Sequence, residues 1–97
     1  MRVVVKRPFE SPEIVNIENT LEAYQSIVEG YIESVTLSPD LMMICNEEGK
    51  LNNLTINFVL NHDPIVGTVL FTNYNEEDLT DISDENINAI IKSFGIH

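Results

Sequence analysis

Ninety-seven residues suffice for one domain around one core and leave little material for a deep catalytic cleft. Sixteen Asp and Glu against five Lys and Arg give a net charge of −11, which argues against direct contact with nucleic-acid phosphates or anionic membranes and permits a basic protein partner. The 43% hydrophobic content marks a globular chain, and its single cysteine rules out an internal disulfide.

The N-terminal MRVVVKRPFESP has an apolar run of only three residues, far short of a signal h-region or a membrane span, so a cytoplasmic protein is expected. Val3 to Val5 form a β-branched run stopped by Pro8 and Pro12, and Glu13 to Glu18 form a second strand, so residues 2–18 predict a hairpin. A helix follows, with Asn19 as its cap, Glu22 reaching back in a capping box and Gly30 as its left-handed stop. Leu21, Tyr24, Ile27 and Val28 share one face of that helix.

Tyr31 to Leu37 alternates as a strand, Ser38-Pro39-Asp40 turns, and the unbroken apolar run Leu41 to Cys45 predicts a central strand covered on both faces. Asn46-Glu47-Glu48-Gly49 then fits a type I turn, with Gly49 permitting the reversal. Residues 51–63 give no single period. Leu51, Leu54, Phe58 and Leu60 would line a short helix, whereas Thr55, Ile56 and Val59 would suit a strand, and the segment is taken as irregular or helical. Ile65 to Thr72 is the strongest strand, with Gly67 marking a bulge or a close approach. Ser83 caps the last helix, Ile82 staples onto Ile87, and Ile87, Ile90, Ile91 and Phe94 form its apolar stripe.

The order ββαββ-x-βα predicts a single α+β domain over residues 1–97, with a mainly antiparallel sheet and two main helices. Its expected core holds Val4, Leu21, Val28, Ile44, Val69, Ile87, Ile90 and Phe94, and the chain is expected to be a monomer or a homodimer.

Catalytic and metal chemistry find no support in the pattern. His62, His97 and Cys45 are scattered without ligand spacing, and the acidic run NEEDLTDISDE lacks the glycine and spacing of a calcium loop. Cys45 with His62 and Asp63 would be a nucleophile pair only in an electropositive setting, whereas Glu47 and Glu48 follow the cysteine, which reads as a buried small hydrophobe. Arg2, Lys6 and Arg7 near Phe9 read as balancing the domain's own carboxylates. Neither an enzyme nor a cofactor is expected.

VNIENTLEA (residues 15–23), GYIE (30–33), ICNEEGKL (44–51), Asn57, IVGTVLF (65–71) and LTDISDENI (79–87) carry a resemblance over nearly the whole chain. It resembles a family of small proteins known only as a domain of unknown function, carried by bacteriophages, plasmids and mobile elements of Firmicutes and their relatives. CNEEGKL with IVGT is the most specific part, and the Leu54–Leu60 segment departs from the pattern by lacking prolines. The resemblance implies no activity, cofactor or site residue. It implies the genomic company of accessory and anti-defence proteins, many of them small, acidic and non-enzymatic.

The leading expectation is a non-enzymatic accessory protein that binds a basic protein partner through an acidic face. That face would hold Glu76, Glu77, Asp78, Asp81, Asp84 and Glu85, with Glu47, Glu48 and Lys50 as a second recognition edge beside Gly67. The alternative is a small-ligand binder for a nucleotide-like molecule, using backbone amides near Gly49 and Gly67 with Lys50 and nearby asparagines.

Overall fold

The computed structural model describes residues 1–95; His97 lies outside the described residues. In chain order the elements are β1 (Arg2–Lys6), β2 (Glu13–Asn16), α1 (Leu21–Val28), β3 (Ile32–Ser38), β4 (Leu41–Asn46), β5 (Ile56–Leu60), β6 (Asp63–Val66), β7 (Val69–Tyr74), β8 (Leu79–Thr80) and α2 (Asp84–Ser93). The main sheet is antiparallel in the order β2-β1-β7-β4-β3, with short β8 beside β7, and β5 and β6 form a separate hairpin. The expected α+β architecture is the observed one.

Both faces of the main sheet are covered, which is why its central strands read as apolar runs rather than alternations. On one face Val3, Val5, Ile44 and Leu70 pack with Tyr24 and Val28 of α1. On the other, Val4, Met43, Val69 and Phe71 pack with Ile82, Ile87 and Ile90 around α2, and Phe58 and Leu60 of the β5–β6 hairpin join them. Val3-Val4-Val5 thus splits between two clusters, as the period-two pleat requires. Phe94 is only half-buried, yet its ring meets Phe58 edge-on at 5.0 Å between centroids. Ile82 and Ile87 lie in one cluster on either side of the Ser83 cap, whose side chain accepts from the Asn86 N–H at 3.1 Å.

Several local expectations are corrected. The α1 cap is Thr20, in extended conformation, with its hydroxyl accepting from the Ala23 N–H at 3.1 Å. Glu22 is therefore not at the capping-box position, and Leu21 becomes the first helical residue, 51% exposed and outside the core. Asn19 instead accepts from the Tyr24 hydroxyl and donates to Asp78 and to the Leu79 carbonyl. The left-handed stop is Glu29, φ 63°, not Gly30. Gly30 is glycine for another reason: a Cβ there would lie 2.6 Å from Nδ2 of Asn46.

Residues 56–60 form a strand, and the helical option fails. Asn61 and His62, at φ 49° and 66°, make the two-residue turn that pairs Leu60 with Asp63, a conformation matching a type I′ hairpin. The predicted strand 65–72 is two strands in two sheets. The chain leaves the hairpin at Gly67, φ +74°, and enters the main sheet at Val69.

Candidate functional site

Asn46, three residues before Gly49, ends β4 as a buried polar hub. Its amide donates to the carbonyls of Val28 and Glu29 at 3.1 and 3.3 Å, and its Oδ1 accepts from the Glu48 N–H at 2.8 Å. One side chain thus satisfies the C-terminal end of α1 and also shapes the turn after β4. Gly49 closes that turn by donating to the Asn46 carbonyl, but not through a left-handed φ. A Cβ on Gly49 would sit 2.7 Å from Val66, and one on Gly67 would sit 2.8 Å from Leu54. The turn segment is therefore pressed against the exit of the hairpin, placing Glu47, Glu48 and Lys50 near Gly67. The Glu47 and Glu48 carboxylates are exposed and have no hydrogen-bond or ion-pair partner among the described residues, whereas Lys50 is paired with Asp63.

Two pockets along β3, sharing only Val35, together make a trough between the sheet and the β5–β6 hairpin. Its smaller end, about 170 Å³, is lined by Glu33, Cys45, Glu47, Lys50 and Asp63. Its larger end, about 500 Å³, is apolar, with Leu37, Leu41, Met43 and Phe71 below and Phe58, Leu60, Ala89 and Phe94 at the sides. Val35 lines both ends. Cys45 is buried, with its thiol 3.7 Å from the Glu33 carbonyl. Burial pushes that thiol up to about 11, Glu33 and Asp63 add to the rise, and Lys50 opposes it. The acids acting on the thiol are thus Glu33 and Asp63 rather than Glu47 and Glu48. His62 is exposed at the hairpin tip and does not line the trough. No group of three or more metal-ligating side chains forms among the described residues.

The second acidic set lies at the opposite end of the sheet. Leu41 pairs with Asn73, the Tyr74 N–H donates to the Asp40 carbonyl, and the Ser83 N–H donates to the Asn73 side chain. These contacts bring the Ser38–Asp40 turn, the 75–78 loop and the start of α2 together. Glu76, Glu77, Asp78, Asp81, Asp84 and Glu85 are all exposed there. The backbone N–H of Arg2 donates to Asp81 at 2.8 Å, and the Arg2 guanidinium pairs with Asp84 at 3.0 Å. Asp78 accepts from Asn19, while the carboxylates of Glu76, Glu77 and Glu85 have no partner among the described residues.

Two further bases, Arg7 and Lys6, are engaged within the domain. Arg7 pairs with Glu13 at 2.8 Å. Lys6 is only 6% exposed and donates to the Arg7 carbonyl and to Asn57 Oδ1, with its ammonium 5.3 Å from the Phe94 ring centroid. Burial lowers the Lys6 pKa, and Glu10 partly offsets this. The Asn57 amide donates to the carbonyls of Lys6 and Gly67, both at 2.8 Å, tying the hairpin to the sheet. Sequence reasoning noted Asn57 without a role and missed Asn46 as a hub; the one available signal was Gly30, whose missing side chain makes room for it.

The chain belongs to the family described as domain of unknown function DUF3846, which matches residues 1–95. No curated protein and no solved structure matches it. Among the described residues no helix is long and apolar enough to cross a membrane. This DUF3846 chain thus presents an acidic end, a turn whose Glu47 and Glu48 carboxylates lack partners among the described residues, and a trough between them.

Proposed function

We propose that this chain is a non-enzymatic accessory protein of a phage or mobile element, working in the cytoplasm, that binds a basic protein partner through its acidic α2 end. The observation that carries the reading is the gathering of Glu76, Glu77, Asp78, Asp81, Asp84 and Glu85 at one end of the sheet, where Arg2 answers only Asp81 and Asp84. Such a field speeds and orients encounter with a basic surface. The likeness of CNEEGKL and IVGT to mobile-element proteins supports the biological setting.

The test is capture of a partner from a bacterial host lysate by the tagged chain, followed by a salt titration. Between about 0.1 and 1 M salt the Debye length falls from about 10 to about 3 Å, so the complex should dissociate. Glu76→Lys with Glu77→Lys and Glu85→Lys should release the partner at low salt, and Glu47→Lys with Glu48→Lys reports whether the turn contributes. Undiminished retention by the triple variant would refute the reading.

A small-ligand role is the second reading, favoured by the apolar groove of about 500 Å³. The amides that a nucleotide-like ligand would need are engaged internally: the Gly49 N–H donates to the Asn46 carbonyl, and the Gly67 N–H donates to the Thr55 carbonyl at 2.7 Å. Saturable binding of a small apolar compound, indifferent to salt, would favour this role over the first.

A further inference from the structure

We propose that the trough along β3 takes an extended segment of a basic protein partner, added as a further strand on the β3 edge. This deepens the protein-binding reading above and rests on it.

Three observations converge. First, β3 ends the sheet order, and no described strand pairs with its outer side. The Glu47 N–H donates to the Tyr31 carbonyl at 2.8 Å, and Glu33 and Val35 continue that register opposite Cys45 and Met43. Antiparallel alternation then turns the backbone N–H and C=O groups of Ser34 and Thr36 outward, available to another chain. Second, the apolar groove lies beside that edge. Val35 and Leu37 of β3 and Phe58 and Leu60 of the hairpin are half-buried along it, so alternate side chains of an added strand would enter it. Third, the smaller end of the trough carries Glu33, Glu47 and Asp63 against Lys50 alone. A cation two positions from an apolar residue on the incoming strand would lie opposite Glu33 when the apolar residue lies opposite Val35. The matching pattern is basic-x-apolar-x-apolar.

Charge selects the occupant. A second copy of this chain would bring another −11 to the edge and carry no basic residue on its own β3 to meet Glu33. A basic strand is drawn to the same place by Glu33, Glu47 and Asp63.

The experiment uses the full chain and a labelled peptide, Lys-Thr-Val-Thr-Ile-Thr-Lys, whose two lysines serve either strand direction; anisotropy reads binding. It should bind at least about ten-fold more tightly than a scramble of equal composition, because both carry the same charge and only one alternates. N-methylation of the peptide amides that face β3 should abolish binding while leaving every side chain in place. Glu33→Lys should weaken binding about three- to ten-fold, and exchanging the peptide lysines for glutamates should restore it. Ser34→Pro, which removes an outward N–H, should act as N-methylation does, with far-UV dichroism confirming the fold.

Equal binding of the N-methylated peptide or of the scramble would overturn strand addition. So would a dimer of the chain alone that Ser34→Pro dissolves, since the edge would then belong to a second copy. If the Glu76, Glu77 and Glu85 variant loses the host partner while Ser34→Pro keeps it, the strand proposal fails and the protein-binding reading stands. If neither variant loses the partner, both fail.

Discussion

Asn46 and Gly30 should behave as one unit in a double-mutant cycle. Asn46→Ala removes two donors to the end of α1 and one acceptor for the Glu48 N–H. At about 1 kcal/mol for each net hydrogen bond, with further cost where a buried carbonyl is left unsatisfied, the loss should be about 3 kcal/mol. For a domain of this size each kcal/mol lowers Tm by about 4–8 °C, so a fall of at least about 12 °C is expected. Gly30→Ala places a methyl 2.6 Å from Nδ2 and must displace that same amide, costing about 2 kcal/mol by breaking the same bonds. In the double variant the methyl enters space the amide has left, so the second substitution should add little. Urea unfolding of the four proteins gives the coupling, expected at about 1.5 kcal/mol or more, where independent sites add to within about 0.5 kcal/mol. Additive losses would refute the hub.

At pH 8 a thiol near 11 has about one-hundredth of the thiolate of one at 9.0, so Cys45 should alkylate about 100-fold more slowly in the folded chain than in urea; rapid native labelling would overturn its burial. The same shift sets a stability window. Below pH 9 the thiol is protonated in both states, whereas between 9 and about 11 only the unfolded chain ionises, so this group's contribution falls as pH rises through that range. Asn57→Ala removes the links to Lys6 and Gly67 and should cost about 2–3 kcal/mol. Amide exchange should then accelerate in β5 and β6 before β4 and β7, and uniform acceleration would mean that the hairpin does not open as a separate unit.

The main sheet was legible because its period is simple. Continuous apolar runs mark strands covered on both faces, and Val3 to Val5 and Leu41 to Cys45 are such runs. The β5 strand was hidden by its own irregularity: a register shift between Ile56 and Phe58 leaves adjacent Asn57 and Phe58 both half-buried, which destroys the alternation. Its turn was hidden as well, because Asn61-His62 adopts left-handed geometry without the glycine that usually announces it. Gly30 and Gly49 were visible as glycines but not as contact points, since the atoms they admit come from Asn46 and from Val66 on another element. Of the proposed site residues, the acidic run 76–85 could be placed on a loop and a helix start by local pattern alone. Its distance from Glu47 and Glu48 depended on strand order, which the pattern did not contain.

Most residues of ICNEEGKL are accounted for by folding: Cys45 is buried, Asn46 is the hub, Gly49 admits Val66 and Lys50 meets Asp63. Glu47 and Glu48 are not, and neither are Glu76, Glu77 and Glu85, whose carboxylates lack partners among the described residues. In a chain of charge −11 these five raise self-repulsion without a compensating contact. Replacing all five by Gln should therefore leave Tm unchanged or raise it, since exposed substitutions usually change stability by less than about 0.5 kcal/mol each and here remove repulsion. Partner binding should weaken in the same protein, and its remaining salt dependence should flatten. A large fall in Tm would place the glutamates in the fold after all, and unaltered binding with a higher Tm would leave the acidity to solubility alone.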